Sequence, residues 1–279
     1  MKISLMQGRL SPPFEGRYQA FPESSWEKEF YLAESLGIYS IEWIFEKPYE
    51  NANPLSNQNG INKLKSLILN TGVQIKSICA DYYMTEHLIR EGVSIEKNWT
   101  HLLWLMEQAK KLDITYIVLP FVDASSLKTD ACRQSLVLRM KKFLKEVKDL
   151  KIELHIESDM IPKDFLDVLM QVNHPLLKMN YDIGNSASLG YDPDEEFKLL
   201  GKYLGSVHIK DRVLKGFSVP LGTGNANFKK CYRWFKYLNF NRWFVLQAAR
   251  GEVGQEFQSI VNQIKFVKNN LMVKENVCN

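Results

Sequence analysis

Cysteine is scarce in this chain. Its four cysteines, Cys79, Cys132, Cys231 and Cys278, stand far apart and form no CxxC pair. That leaves neither a disulfide framework nor a thiolate metal knuckle, and it points to a reducing compartment. No apolar run approaches the roughly 18 residues that span a bilayer, so no membrane partner is expected. In the opening MKISLMQGRL, one Lys precedes an apolar run that Gln7, Gly8 and Arg9 interrupt, which is too short for a secretion signal. The expectation is a cytoplasmic protein. Basic residues only slightly outnumber acidic ones, 36 against 32, and nowhere form a block. This argues against a nucleic-acid partner and suits a small anionic molecule better. No GxGxxG or GxxxxGK[ST] follows the first apolar run, so the usual phosphate signatures of open α/β sheets are missing. No Gly/Ser linker or low-complexity tract divides the chain, and residues 1–279 read as one domain.

What the chain does have is alternation. At 279 residues and 45% hydrophobic it is long enough for one large barrel core. Short β-rich runs alternate with longer stretches whose apolar residues recur every three or four positions. The expected strands are Ile3 to Gln7, Ser40 to Ile44, Gln74 to Cys79, Thr115 to Leu119, Glu153 to Glu157, Leu177 to Tyr181, Ser206 to Ile209 and Trp243 to Gln247. Several are apolar on both faces, as parallel strands covered by helices should be. Between them, Trp99, Leu102, Leu103, Met106, Ala109 and Leu112 share one helix face, and Val137, Met140, Phe143, Leu144, Val147 and Leu150 another. Asp192 before Pro193 reads as a helix start, and Gly72 and Gly205 read as helix ends. Eight such units with right-handed crossovers predict an α/β fold, a (β/α)₈ TIM barrel.

In a barrel, chemistry gathers at the C-terminal strand ends. Strand five ends in HIES with Glu157, strand six in NYDIGN with Asp182, strand seven in VHIKD with His208 and strand eight in FVLQAARG with Gln247. Any one of these could merely cap a loop. Four in succession, offering two carboxylates, an imidazole and an amide oxygen, predict a site for one divalent metal ion, Mn, Mg, Zn or Co, with positions left for substrate. Two features near the mouth could hold an anion. Gly222, Thr223 and Gly224 offer backbone N–H groups in the loop after strand seven, and Arg250, Arg9 and Arg17 offer guanidinium groups. Turn geometry and surface ion pairs are the plainer readings of the same residues. Glu42, Trp43, Asp81, Tyr82 and His87 could line the remaining wall, with plain core packing as the competing role for the aromatics. His101, His155 and His174 lack a strand-end position and read as structural or exposed.

The motifs IEW around Glu42, HIES, YDIGN, VHIKD with Lys210 and Asp211, and PLGTGNANF at 220–228 resemble, in order and strand placement, the xylose-isomerase-like barrels. That group includes sugar-phosphate isomerases and epimerases, hydroxypyruvate isomerase and tagatose epimerases, and the resemblance covers essentially the whole chain. It implies that Glu157, Asp182 and His208 are metal ligands and that Glu157 also moves protons. The family's fourth ligand is typically a strand-eight Glu, whereas this chain has Gln247. An amide oxygen can ligate but cannot accept a proton at neutral pH. Chemistry would then fall to Glu157 alone, or to Glu157 with Lys210 or Asp211.

The expectation is therefore a metal-dependent isomerase or epimerase of a sugar or sugar phosphate. Its partners would be a small carbohydrate, phosphorylated or not, and a second copy of the chain in a homo-oligomer. Two alternatives stay open. One is a carbohydrate-binding barrel that lost turnover with its second Glu. The other is a hydrolase or lyase of the same fold, although such sites usually need more His and carboxylate ligands than this sequence offers.

Overall fold

The computed structural model describes residues 2–271. Parallel strands β1 (Lys2–Met6), β2 (Ser40–Ile44), β3 (Gln74–Cys79), β4 (Tyr116–Phe121), β5 (Glu153–Ser158), β6 (Leu177–Asp182), β7 (Leu204–Ile209) and β8 (Trp243–Leu246) follow one another around a closed barrel, with β1 pairing both β2 and β8. The helices between them are α1 (Trp26–Ser35), α2 (Gln58–Thr71), α3 (Glu96–Lys110), α4 (Asp130–Glu146), α5 (Pro162–Val172), α6 (Ile183–Leu189), α7 (Pro193–Leu200), α8 (Phe228–Tyr237) and α9 (Glu256–Leu271). Among the described residues no helix is long and apolar enough to cross a membrane. Cys79, Cys132 and Cys231 are free, and Cys278 lies outside the described residues.

Local signals set most boundaries. Asp192 caps α7 by accepting from the Asp194 N–H, with Pro193 in the first turn. Gly72 ends α2 at φ 71°, the left-handed conformation that glycine adopts without strain. Gly205 does not end a helix, contrary to the sequence expectation, because it lies inside β7. A Cβ there would sit 2.6 Å from both the His155 ring and Lys178 Cβ, so the glycine serves close strand approach. Strand β4 starts one residue later than expected and runs on through Pro120 and Phe121, while β8 stops just before Gln247.

The barrel axis is unusually polar. Glu153, His155 and Glu157 alternate along β5 and point inward together. His155 is fully buried, stacks on Tyr116 at 4.2 Å between centroids and bonds Ser206 Oγ at 2.8 Å. Burial pushes its pKa down to about 4, against the Glu153 carboxylate at 2.9 Å from its Nε2. Ser206 in turn donates to Asn180, and Asn180 donates to Glu157. A network of this kind ties strands β5, β6 and β7 together just below the mouth.

Outside the barrel, Glu196 of α7 accepts hydrogen bonds from Tyr181 and Ser186, fastening α6 and α7 to β6. Burial raises its pKa from 4.5 to about 7, against those two bonds. The folded chain thus holds this proton more tightly than the unfolded chain, and stability falls as pH rises between the two values. At about 1.4 kcal/mol per pKa unit, the loss across that window is on the order of 3 kcal/mol. Urea unfolding at pH 5 and pH 8 should show a smaller stability loss in Glu196→Gln than in the wild type. Equal slopes would place the titration elsewhere.

Candidate metal centre

The site is built from its floor. Glu42 on β2 is fully buried, and its two oxygens are occupied by Ser77 Oγ at 2.7 Å and His208 Nε2 at 2.8 Å. A carboxylate only accepts, so His208 must carry its proton on Nε2. Its Nδ1 then faces the barrel mouth. There it meets Glu157 Oε2 at 3.3 Å and Asp182 Oδ2 at 3.9 Å. Register explains the meeting, because Asp182 pairs with His208 across β6 and β7.

Ligand atoms of Glu157, Asp182 and His208 all lie within 4.8 Å of one another, and all three residues are buried. Two carboxylates this close repel unless a positive charge lies between them. Burial alone would push the His208 imidazole down, but Glu42 and Glu157 outweigh it and hold it up at about 10. A divalent ion on Nδ1 would take the place of that proton. Gln247 points the same way as Val245, which pairs with His208, and lies one layer nearer the mouth. The buried atoms His208 Nδ1 and Gln247 Oε1 both lack a hydrogen-bond partner. A ring nitrogen that can exchange its proton for a metal and an unpaired amide oxygen, both beside two carboxylates, are what a cation would satisfy, so the donor set fits a metal.

Above the cluster opens a cavity of about 400 Å³, lined in part by Glu157, Gln247, Lys210, Asn185, Arg212 and Asp81. Lys210 donates to Asp182 and Asn185, both at 3.3 Å. Burial opposes its charge, yet Asp182 and Glu157 hold its pKa above the usual lysine value. Asn185 was not singled out in the sequence, although it stands in the YDIGN motif. Its backbone N–H caps on Asp182 at 2.8 Å and its amide donates to Glu157 at 2.7 Å. Gln19 and Glu46, also on the cavity wall, carried no strand-end signal because loops deliver them, and Arg212 comes from a short hairpin of 211–212 with 218–219 outside the barrel.

Several expected site residues have other work. Glu42 does not line the cavity and instead orients His208 from beneath. Asp211, expected as a proton donor, is fully buried and accepts from the N–H groups of Gly222, Gly224 and Ala226 at 2.8, 3.0 and 3.1 Å. The anion those glycines cradle is therefore the protein's own carboxylate. A Cβ on Gly224 would fall 2.3 Å from Asp211 Oδ1, which is why glycine stands there.

Arg9 and Arg250 do not line the cavity either, and both grip the carbonyl of Tyr18, at 2.9 and 2.8 Å. They pin the loop that carries Tyr18 and Gln19 over the mouth. Arg17 does line the cavity, but its guanidinium is paired with Glu46 at 2.7 and 3.1 Å. Trp43 is fully buried against Phe21, Trp26 and Phe30, and Tyr82 stacks on His101 at 4.1 Å, so packing accounts for both. His87 bonds the Met84 carbonyl away from the cluster.

The sequence matches the family described as xylose isomerase-like TIM barrel over residues 30–269. No curated protein matches it. Among solved structures, IolI with a bound zinc atom superimposes with a TM-score of 0.73 at 14% identity, covering 97% of this chain and 98% of that one. D-psicose 3-epimerase with D-tagatose, from Clostridium cellulolyticum H10, gives 0.73 at 15% identity, covering 97% and 99%. The 3-keto-D-glucoside 4-epimerase YcjR from E. coli gives 0.68 at 15%, covering 95% and 99%. Identities this low carry the shared fold and no more.

Two outcomes follow from the geometry. Glu42→Gln should weaken Mn²⁺ binding 10- to 100-fold in calorimetric titration, the usual cost of losing the group that orients a ligating His. Unchanged affinity would mean that His208 keeps its tautomer without Glu42. Asp211→Ala should leave three backbone donors unpaired and speed hydrogen exchange at Gly222, Gly224 and Ala226, while Mn²⁺ affinity changes less than about threefold, since Asp211 is no ligand. Protection that survives in those amides would remove Asp211 as the anchor of the loop.

Proposed function

The chain belongs to the xylose isomerase-like TIM barrel family, and we propose that within it the protein is a metal-dependent isomerase or epimerase of a sugar or sugar phosphate. The observation that carries this reading is the buried Glu157, Asp182 and His208 cluster, with His208 Nδ1 and Gln247 Oε1 unpaired, which reaches the cavity through Glu157 and Gln247. A volume near 400 Å³ whose wall sets Asp81, Glu157, Asn185 and Lys210 beside Met84, Pro120 and Val122 suits a molecule of hexose size rich in hydroxyl groups. Neighbours of the same fold include two sugar epimerases and a zinc-binding protein.

Glu157, Asp182, His208 and Gln247 would hold the ion, and this mix of carboxylate, imidazole and amide oxygen suits Mn²⁺, Mg²⁺, Co²⁺ or Zn²⁺. A bound divalent ion supplies a Lewis acid that makes the C–H beside a carbonyl or carbinol more acidic. Glu157 takes that carbon-bound proton and returns it. Asn180 and Asn185 donate to separate oxygens of its carboxylate, at 3.2 and 2.7 Å, and so fix its direction. Lys210 enters the reaction charged and faces negative charge that develops on a substrate oxygen. Gln247 cannot serve as a base, and Asp211 is sealed by its loop, which leaves Lys210 as the group able to supply a second proton.

The phosphorylated form of the substrate has its own support. Arg212 lies on the cavity wall and, among the described residues, donates to neutral acceptors, Asn185 Oδ1 at 2.8 Å and the Gly216 carbonyl. Lys210 shares the same Asn185 oxygen. A phosphate at that end would meet two cations, whereas Arg17 is already neutralised by Glu46.

Protein purified without chelators should carry close to one divalent ion per chain. Incubated in D₂O with ketohexoses and their phosphates, it should wash deuterium into a substrate carbon. Glu157→Gln should slow that exchange by about 10²- to 10⁴-fold, the range for a lost general base, with a much smaller change in sugar binding. Metal uptake and sugar binding without any exchange would instead identify a carbohydrate-binding barrel, the outcome that Gln247 in place of a second carboxylate keeps in view.

A further inference from the structure

A glutamine can ligate a cation only with its oxygen, yet its two ends are almost the same size, so packing alone does not choose between them. Turned over, Gln247 would aim an NH₂ group at the metal position. Something in the structure must therefore set its direction, and the hydrogen-bond chain behind it shows what does.

Gln247 is buried, and its Nε2 donates to Gln19 Oε1 at 3.0 Å, while its own Oε1 has no partner. Gln19 has the same ambiguity, but charged groups bracket it. On one side its Nε2 donates to Asp81 Oδ2 at 2.7 Å. On the other, the buried guanidinium of Arg9 directs Nη2 at Gln19 Oε1, at 3.4 Å. A carboxylate has no proton to give and a guanidinium has no lone pair to accept with, so Gln19 can satisfy both in one orientation only. Cys79 Sγ holds the far oxygen of Asp81 at 3.2 Å, and the Tyr18 carbonyl holds Arg9 at 2.9 Å.

We infer that Asp81 and Arg9, acting through Gln19, lock Gln247 with its carbonyl oxygen toward the metal position. Asp81, Gln19 and Arg9 are positioning residues for the fourth ligand. The arrangement also relocates charge: the carboxylate expected in the shell at the end of β8 is replaced by one two hydrogen bonds farther out, at Asp81. It gives Arg9 a role as well, one that the sequence alone assigned to an anion. This inference rests on the metal reading of the same cluster.

The test is a binding cycle at pH 8 with Mn²⁺ followed by calorimetry and Co²⁺ followed by its visible absorption. Gln19→Met removes the relay without changing charge, and Asp81→Leu removes its outer end. Each should weaken Mn²⁺ binding about tenfold or more, within the range for residues that orient a ligand, and each should alter the Co²⁺ band. In a Gln247→Glu background the effect of Gln19→Met should shrink below about twofold, because a carboxylate presents an oxygen either way round. Wild-type protein that binds Mn²⁺ tightly while both single variants bind equally well overturns the relay and leaves the metal reading standing. So does an undiminished loss from Gln19→Met in the Gln247→Glu background, which would mark a structural role. Wild-type protein that takes up neither ion overturns both.

Discussion

The hydrogen bond between Glu42 and His208 is the constraint on which the site depends. It joins β2 to β7 across the barrel axis, with both side chains fully buried. Glu42 can only accept, so the bond fixes a proton on Nε2 and turns Nδ1 toward the mouth. Glu157 and Asp182 then face Nδ1, which carries either a second proton or a cation. Without that assignment the same three residues would be a buried ion cluster, and with it they become a set of donors waiting for a cation.

The network around this bond follows one rule, that a buried polar group must be paired. Ser77 completes Glu42, Asn180 and Asn185 complete Glu157, and the Asn185 N–H completes Asp182. After these pairings His208 Nδ1 and Gln247 Oε1 are the cluster atoms left without a hydrogen-bond partner among the described residues. The same rule explains why the glycine loop and all three arginines that promised an anion site are occupied, Arg17 by Glu46. Asp211 fills the cradle of Gly222 and Gly224, and Tyr18 engages Arg9 and Arg250. Cationic capacity moves to Lys210 and Arg212, whose partners at Asn185 and Gly216 are neutral apart from Asp182.

Much of the frame was legible in the sequence. Strand and helix periodicity is local, as are capping signals such as Asp192 with Pro193, so the order of the eight units could be read directly. Strand-end placement singled out Glu157, Asp182, His208 and Gln247 for the same reason, since position in a barrel strand fixes which way a side chain faces. Gly205 shows the limit. Its role comes from His155 and Lys178 on neighbouring strands, and no local pattern distinguishes that from a helix end.

By itself, then, the sequence determined the barrel and the residues at its mouth, because both depend on periodicities of a few positions along the chain. Only the tertiary structure decided what each charged or amide group does. Glu42 and His208 are 166 positions apart, Gln19 and Gln247 are 228 apart, and Asp211 meets its own loop rather than a ligand. The function of a hydrogen-bonding group is set by which partner reaches it first in space, and that is settled when the strands close into a ring.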